Sequence, residues 1–300
     1  MHTRNSSYRG RFAPSPTGPL HKGSLVAAIA SFLEAKSHRG KWLLRMEDVD
    51  ELRNVKGAAS SILRSLDAFG FEWDEDILYQ TQRKDAYVHA IETLQKQNLV
   101  YPCTCSRKFI RAQAEQNKIK TGPFGNIYPG SCIHKKFTLL NPDDYAIRIK
   151  VTDQPIQFKD AILGSITHQL KTDLGDFIIR RRDGLFAYQL AVVVDDAFQN
   201  ISHIVRGSDL LDSTTRQLYL QGCLSHPPPE YAHVPLMRCK KGDKLSKQTG
   251  AKSIGETADI PLIVGCLEFL GQNPPDTLKY ESLDNVWQWA LKNWQLDKLI

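Results

Sequence analysis

Long apolar runs are missing from this chain. The most apolar stretches, residues 190–194 and 262–270, are far too short to span a bilayer, which takes about 20 residues of helix. Residues 1–8 are polar and lack the apolar core of a signal peptide. The sequence also holds no repeat and no low-complexity tract. We therefore predict a cytoplasmic protein that has no membrane partner.

Cysteine is scarce, since six residues in a chain of 300 do not make a disulfide scaffold. Three of them nevertheless cluster, at Cys103, Cys105 and Cys132, with Tyr128 and His134 nearby. Clustered cysteines in a chain without an export signal favour a metal, and zinc takes about four ligands in a tetrahedron. We expect a structural zinc ion at this cluster; three buried free thiols are the alternative. General zinc chemistry favours His134 as the fourth ligand.

A shortage of apolar residues would indicate disorder, but the composition shows no such shortage. Hydrophobic residues make up 41% of the chain and charged residues 24%, as in ordinary globular proteins. The formal net charge is +6, from 39 basic and 33 acidic residues, and a positive excess favours a polyanionic partner such as RNA.

Strands and helices alternate in the first hundred residues. Residues 8–13 read as a strand, and a helix with apolar residues at helical spacing begins near Ser24. Residues 42–46 form a second strand, followed by one helix that ends at Gly70 and another that Thr81 can cap. This alternation predicts a parallel sheet with helices on its faces.

The segment P-S-P-T-G-P-L-H-K-G-S, residues 14–24, joins the first strand to the first helix. Such a junction leaves unpaired backbone N–H groups at a helix N-terminus, where a phosphate can bind. Gly23 lets the backbone approach a ligand closely, and His21 can donate a hydrogen bond to a phosphate oxygen. The alternative is a loop in which His21 or Ser24 only caps the helix.

A second string, K-L-S-K-Q at residues 244–248, lies in a loop rich in glycine and lysine. Flexible cations suit a departing pyrophosphate, whose charge develops in the transition state. A solvated surface loop is the alternative interpretation of such a lysine-rich segment.

Together the two strings resemble the paired signature of the class I aminoacyl-tRNA synthetases. The longer phrase R-F-A-P-S-P-T-G, residues 11–18, resembles the glutamate and glutamine branch of that family. The resemblance implies ATP binding by His21, Gly23 and Lys247, with Mg²⁺ accompanying the ATP. It implies catalytic roles for His21, Lys244 and Lys247.

The amino acid substrate is expected beyond the carboxyl ends of the strands, where ligands of open α/β sheets bind. Glu47 follows a strand there and can hold an ammonium group; its alternative role is a surface carboxylate paired with Arg45. The resemblance adds Arg11 and Arg206, whose planar guanidiniums suit carboxylates, and Tyr188 as a neutral donor. The substrate-binding residues that we expect are Arg11, Phe12, Ala13, Pro14, Ser15, Glu47, Tyr188 and Arg206.

The resemblance also bears on the fourth zinc ligand. In one branch of the family, the tyrosine that corresponds to Tyr128 is a known type of zinc ligand. We favour Cys103, Cys105, Tyr128 and Cys132 as the zinc ligands, and His134 remains the alternative fourth ligand.

The expected fold is α/β: a Rossmann-type class I synthetase catalytic core with an inserted zinc-bearing α+β module and a short helical C-terminal region. We predict the first half of the core at residues 1–100 and the zinc-bearing, nucleic-acid-contacting insertion at 101–184. The second half, with the lysine loop, is predicted at 185–252 and the helical region at 253–300.

About fifty residues follow Lys247, enough for one small helical unit but not for an anticodon-binding domain. This resembles the truncated branch of the family that activates glutamate without tRNA and esterifies it to queuosine in the anticodon of tRNA(Asp). We expect a monomer whose partners are ATP, L-glutamate and the anticodon stem-loop of tRNA(Asp), contacted through Arg107, Lys108 and Arg111. The alternatives are a short glutamyl-tRNA synthetase that charges the 3′ end of tRNA(Glu), another nucleotidyltransferase, and an inactive tRNA-binding module.

Overall fold

The computed structural model describes residues 7–116, 121–122, 125–139, 144–237 and 252–299. The predicted lysine-loop residues Lys244 and Lys247 lie outside these described residues. Within them, no helix combines the length and apolarity needed to cross a membrane.

The elements are numbered in chain order over the described residues. The strands are β1 (Arg9–Phe12), β2 (Lys41–Met46), β3 (Leu78–Tyr79), β4 (Val100–Cys103), β5 (Thr121–Gly122), β6 (Gly125–Asn126), β7 (Ala146–Ile149), β8 (Pro155–Asp160), β9 (Gly164–Gln169), β10 (Phe177–Arg180), β11 (His203–Gly207) and β12 (Glu230–Val234). The α-helices are α1 (Lys22–Ser37), α2 (Ala58–Ala68), α3 (Lys84–Lys96), α4 (Arg107–Gln116), α5 (Tyr188–Phe198), α6 (Leu211–Cys223), α7 (Ile260–Phe269) and α8 (Leu283–Asn293).

Two groups of parallel strands form the core and meet between β1 and β11. In the first group β2 pairs with β1 and with β3, and in the second β12 pairs with β11 and with β8. The Ser202 amide donates to the Arg9 carbonyl oxygen at 3.0 Å, and the Arg9 amide donates to the Ser202 hydroxyl at 2.8 Å. The parallel α/β core predicted from the alternation of strands and helices is thereby confirmed.

Helix α1 is the central element of the core. It contains four alanines and two leucines, which favour helix. Its buried residues cover nearly all sides, because the sheet lies against one side and α7 and α8 against another. Since β1 and β2 are parallel neighbours, the helix between them begins at the carboxyl end of β1. That geometry places the N-terminus of α1 at the ligand-binding edge expected for such sheets.

Helix α5 is tied to α3 through buried Asp195. The Asp195 carboxylate accepts from Tyr87 Oη at 2.7 Å, from Gln80 Nε2 at 2.9 Å and from Arg83 Nε at 2.6 Å. The expectation that Thr81 caps α3 is wrong. Thr81 lies in the preceding 3₁₀ turn and donates its amide and hydroxyl hydrogens to Asp48, so it anchors the turn instead.

The predicted insertion, residues 101–184, contains an antiparallel sheet in the order β10–β7–β4 and the β8–β9 hairpin. Within this range β8 pairs with the core strand β12, at Tyr231 and Asp160. The hairpin is thus joined to the core sheet, whereas the β10–β7–β4 sheet is a separate sheet. The four-part domain division stays a prediction.

The helical character predicted for residues after 253 is confirmed by α7 and α8. Asp259 and Ser282 cap these helices by accepting from the amides of Leu262 and Asn285. Trp294 Nε1 donates to Glu34 Oε2 on α1 at 2.6 Å, so the segment packs on the core.

Candidate active site and cysteine cluster

A cavity of about 550 Å³ opens at the carboxyl ends of β1, β2, β11 and β12, next to the N-termini of α1 and α5. This is the edge at which open α/β sheets bind ligands. The structure brings ten of the predicted site residues to its lining: Arg11, Phe12, Ala13, Pro14, Ser15, His21, Gly23, Glu47, Tyr188 and Arg206.

Arg11 is held in place by a buried carboxylate. Its Nε donates to Asp196 Oδ1 at 3.1 Å, and Arg45 Nη2 lies 2.8 Å from the same oxygen. Arg45 is fully buried and also donates from Nη1 to Gln199 Oε1 at 3.0 Å. Burial opposes ionisation of Asp196, but the charges of Arg11 and Arg45 outweigh burial and hold its pKa below the usual range. Asp196 is therefore an anion that fixes two cations.

Glu47 and Tyr188 line the cavity beside this ion cluster. Glu47 Oε1 lies 3.4 Å from Arg45 Nη2, and its amide donates to the Pro14 carbonyl oxygen at 2.9 Å. Glu47 is 8% exposed, so it is not the surface carboxylate that was the alternative interpretation of the sequence. Burial raises its pKa, opposed by Arg45 and Arg11. Burial, together with the Glu47 charge, raises the pKa of Tyr188 to about 12, which keeps its hydroxyl a neutral donor.

Arg206 enters the cavity from the end of β11. Its Nη2 donates to Thr214 Oγ1 at 2.7 Å and to the Leu210 carbonyl oxygen at 3.3 Å, and its Nε donates to His233 Nε2 at 3.2 Å. Nη1 is buried and has no hydrogen-bond partner among the described residues. A buried guanidinium nitrogen without a partner indicates a ligand acceptor there.

The phosphate-binding side predicted from residues 14–24 lies on the same cavity. His21 caps α1, because its Nδ1 accepts from the Ser24 amide at 3.2 Å, and it also lines the cavity. Gly18 has a φ of +136°, which favours glycine. Ser253 pairs with His21 through a β-bridge, and Met237 lines the cavity. The described residues on both sides of the lysine loop are therefore adjacent to this site.

The three clustered cysteines come together in the fold. The sulfur atoms of Cys103, Cys105 and Cys132 all lie within 4.8 Å of one another. The Tyr128 hydroxyl lies 3.4 Å from Cys103 Sγ and 3.5 Å from Cys105 Sγ, and Cys105 Sγ lies 3.4 Å from Cys132 Sγ. In the described part of the chain this is the only cluster of three or more potential metal ligands.

These distances fit a metal. Four ligands placed at about 2.0–2.3 Å from zinc in a tetrahedron lie about 3.3–3.8 Å apart. This range matches the distances from the Tyr128 hydroxyl to the sulfurs of Cys103 and Cys105, and from Cys105 Sγ to Cys132 Sγ. His134 is exposed and is not part of the cluster. The cysteine cluster can therefore hold a metal ion, and Tyr128 is in position to be the fourth ligand.

The surroundings of the cluster favour the thiolate form of Cys132, whereas burial raises the pKa of the Cys105 thiol to about 11. Arg148 is buried, donates from Nε to Cys103 Sγ at 3.3 Å, and places its guanidinium carbon 3.9 Å from the centre of the Tyr128 ring. Burial opposes ionisation of Cys132, but hydrogen bonds from Tyr128 and from the Thr104 amide outweigh burial and lower its pKa to about 6. The thiolate is the form of cysteine that binds metals.

Several residues behind the site were missed in the sequence. Asp160 and His233 carried no motif signal, because they lie alone on separate strands and 73 residues apart. The sequence indicates Arg45 only as a surface partner of Glu47. For Asp196, the one signal available in the sequence was an acidic residue close to a run of valines.

The comparisons with known proteins agree with this geometry. The sequence profile for tRNA synthetases class I (E and Q), catalytic domain, matches residues 7–259. The chain belongs to this family of class I tRNA synthetases. The fold predicted from the resemblance is thus confirmed as the class I catalytic α/β fold.

Within the family, the chain is similar over nearly its whole length to proteins named Glutamyl-Q tRNA(Asp) synthetase. It is 50% identical to the one from Dechloromonas aromatica over 293 residues, covering 98% of this chain and 96% of that one. It is 46% identical to the one from Neisseria meningitidis serogroup B, covering 97% of each chain. The solved glutamate-tRNA synthetase from Elizabethkingia anophelis is 27% identical, with a TM-score of 0.78, over 98% of this chain and 67% of that one.

Proposed function

We propose that this chain activates glutamate with ATP, without tRNA, and transfers the glutamyl group to queuosine at the wobble position of tRNA(Asp). The observation that carries the proposal is the convergence of Arg11, Glu47, Tyr188 and Arg206 on one cavity. The identity of 44–50% to proteins named Glutamyl-Q tRNA(Asp) synthetase supports the choice of acceptor.

The charges in the cavity match those of free glutamate, which carries two carboxylates and one ammonium at neutral pH. Arg11 and Arg206 are buried cations that can each bind a carboxylate. Glu47 is the buried anion available for the ammonium, and Tyr188 adds a neutral hydrogen bond. A dicarboxylate uses both guanidiniums, whereas a glutamine side chain would leave one of them unpaired, and this favours glutamate.

The first reaction joins an α-carboxylate oxygen of glutamate to the α-phosphorus of ATP, and pyrophosphate leaves. No side-chain nucleophile is needed, because positioning and electrostatic stabilisation lower the barrier. The N-terminus of α1, with His21 and Gly23, supplies polar groups for the phosphates. We assign the pyrophosphate to Lys244 and Lys247, and Mg²⁺ accompanies the ATP.

In the second reaction, a hydroxyl of the queuosine cyclopentene-diol attacks the carbonyl carbon of the adenylate, and AMP leaves. The tRNA must then approach with its anticodon loop. Helix α4 begins two residues after Cys105 and packs Ile110 against the cysteine cluster. Its exposed Arg107, Lys108 and Arg111 are available for the phosphates of the anticodon stem.

We propose zinc as the metal of the cysteine cluster, held by Cys103, Cys105, Cys132 and Tyr128. Its role would be structural, because the set leaves no open position for a substrate. The ion would fix the N-terminal end of α4 and so orient its basic residues. A monomer in the cytoplasm, where ATP and tRNA are found, is consistent with this function.

The first step is tested by glutamate-dependent exchange of pyrophosphate into ATP with no tRNA present. We expect exchange with the wild-type protein and a marked loss of rate with Lys247→Ala, because a cation matched to the departing phosphates is removed. Lys292→Ala, on the exposed face of α8, is the matched control and should keep the wild-type rate. A strict requirement for tRNA would contradict the proposal.

The acceptor is tested with labelled glutamate on queuosine-containing tRNA(Asp) whose 3′ CCA end has been removed enzymatically. Transfer should survive this trimming and should vanish for tRNA(Asp) that carries guanine at the wobble position. Loss of transfer on trimming, or better transfer to tRNA(Glu), would identify a short glutamyl-tRNA synthetase instead. No exchange and no transfer would indicate the inactive tRNA-binding module.

A further inference from the structure

A buried histidine–aspartate pair lies directly behind Arg206. His233 and Asp160 both have fully buried side chains, and His233 Nδ1 lies 2.6 Å from Asp160 Oδ2. The pairing of β11 with β12 sets Arg206 opposite His233, and β8 brings Asp160 to the other side of β12. Such a pair is unexpected in the interior of a sheet unless its hydrogen bonds are used.

Both ends of His233 require the same tautomer. At one end Asp160 is an anion, because hydrogen bonds from His233 and from the Ile162 and Leu163 amides outweigh burial and lower its pKa. His233 Nδ1 must therefore carry the proton and donate to Asp160. At the other end Arg206 Nε can only donate, so Nε2 must be the acceptor at 3.2 Å.

The charged groups that face His233 come from three elements. They are Asp160 on β8, Arg206 on β11 and Asp209 in the turn after β11. Burial, with a smaller contribution from Arg206, lowers the pKa of His233. The ring is neutral at neutral pH, as its role of acceptor from Arg206 demands.

We propose that His233, fixed in one tautomer by Asp160, is a positioning residue that aims Arg206 at a carboxylate of the amino acid substrate. His233 accepts from Nε, while Thr214 and the Leu210 carbonyl oxygen accept from Nη2. These contacts use every side of the guanidinium except Nη1, which is buried without a partner in the described part of the chain. This role rests on the proposed binding of glutamate by Arg206.

Two variants of His233 separate positioning from packing. Glutamine places a carbonyl oxygen near the position of Nε2 and can still accept from Arg206, whereas the shorter asparagine reaches only toward Asp160. We expect His233→Asn to raise the Kd and KM for glutamate by about ten-fold or more, because a hydrogen bond to a charged group is lost. His233→Gln should recover most of that loss, and the KM for ATP should stay unchanged in both.

A variant of Asp160 tests the tautomer itself. Asp160 Oδ1 accepts from the amides of Ile162 and Leu163 at 3.0 and 2.9 Å. In Asp160→Asn the side-chain oxygen must accept from these two backbone amides. The side-chain NH₂ group then faces His233 Nδ1 and moves the ring proton to Nε2. Nε2 then no longer accepts from Arg206, and the KM for glutamate should rise as in His233→Asn. In a His233→Gln background, the same substitution should have much less effect.

The measurements are glutamate binding by calorimetry and pyrophosphate exchange, each with a thermal unfolding midpoint. Equal losses in His233→Asn and His233→Gln, or a parallel rise in the KM for ATP, would assign His233 to packing and overturn the inference. A glutamate affinity in His233→Asn equal to that of the wild-type protein would overturn the inference as well. Pyrophosphate exchange by the wild-type protein would leave the proposed function intact in that case. If the wild-type protein neither binds glutamate nor exchanges pyrophosphate, the proposed function fails, and this inference fails with it.

Discussion

Replacement of Asp196 by asparagine tests whether the buried ion cluster supports the site. Asp196 is 2% exposed and is shared by Arg11 Nε and Arg45 Nη2. Asparagine keeps the shape and one acceptor oxygen but removes the charge that compensates two buried cations. Arg45 then keeps the Glu47 carboxylate at 3.4 Å and the more distant charge of Asp195.

The magnitude follows from burial. Breaking a buried ion pair by removing one partner costs about 3–5 kcal/mol, and the acceptor oxygen that asparagine retains recovers about 1 kcal/mol. We therefore expect Asp196→Asn to lower the free energy of unfolding by about 2–4 kcal/mol. Because Arg11 loses its support, the KM for glutamate should rise while the KM for ATP stays constant.

The chain contains a matched control. Glu75 also has two basic partners, with oxygen–nitrogen distances of 2.8 and 2.9 Å to Arg9 and 2.8 Å to Lys41, but it is 39% exposed. Exposed pairs contribute about 0–1 kcal/mol, so Glu75→Gln should change the free energy of unfolding by less than about 1 kcal/mol. Equal losses in urea unfolding for Asp196→Asn and Glu75→Gln would refute the reasoning from burial.

The pH dependence of Asp196→Asn gives a further check. The pKa of Asp196 is lowered in the folded protein, so its charge stabilises the fold above the unfolded pKa of about 4. That contribution is lost as the pH falls through the folded pKa. The difference in unfolding free energy between wild type and Asp196→Asn should be full at pH 7 and should narrow below about pH 4.

Three more predictions concern the metal site and the ammonium partner. Tyr128→Phe should release zinc while His134→Ala retains it, as measured by metal analysis of protein purified without chelator; the reverse pattern would make His134 the ligand. Arg148→Met should weaken zinc affinity by about 10–100-fold in a chelator competition, because Cys103 loses a charge-assisted donor, and unchanged affinity would remove Arg148 from this role. Burial raises the pKa of Glu47, so kcat/KM for glutamate should fall on the acid side as Glu47 is protonated; this fall should be absent in Glu47→Gln, and its persistence would exclude Glu47 as the group responsible.

The local elements of the core could be predicted because each carries its own signal. The strand of residues 8–13, the helix near Ser24 and the helix ending at Gly70 all follow from apolar spacing and from breakers. Helix α5 is the contrary case, since Val192, Val193 and Val194 favour strands by propensity. They are helical because burial on nearly every side overrides that preference.

The residues that contact the cavity could be named from motifs, whereas the residues that support them could not. Asp196 supports Arg11 from 185 positions away, and Asp160 supports His233 from 73 positions away. Such pairs depend on which strands become neighbours, and no local pattern encodes that. Thr81 illustrates a similar limit, because its partner Asp48 lies 33 positions away and turns an expected cap into an anchor.

Asp196 and His233 support the two arginines through the same kind of contact. This explains why they matter for an amino acid with two carboxylates. An arginine side chain holds about 2 kcal/mol of rotamer entropy that binding must remove. Asp196 and His233 each accept from the Nε of one arginine, so both guanidiniums are ordered before substrate arrives. In each case the contact uses the inner nitrogen and leaves at least one terminal nitrogen for a carboxylate. Loss of either support should therefore weaken glutamate binding without changing ATP binding, and this shared effect distinguishes preorganisation of the arginines from a general loss of fold stability.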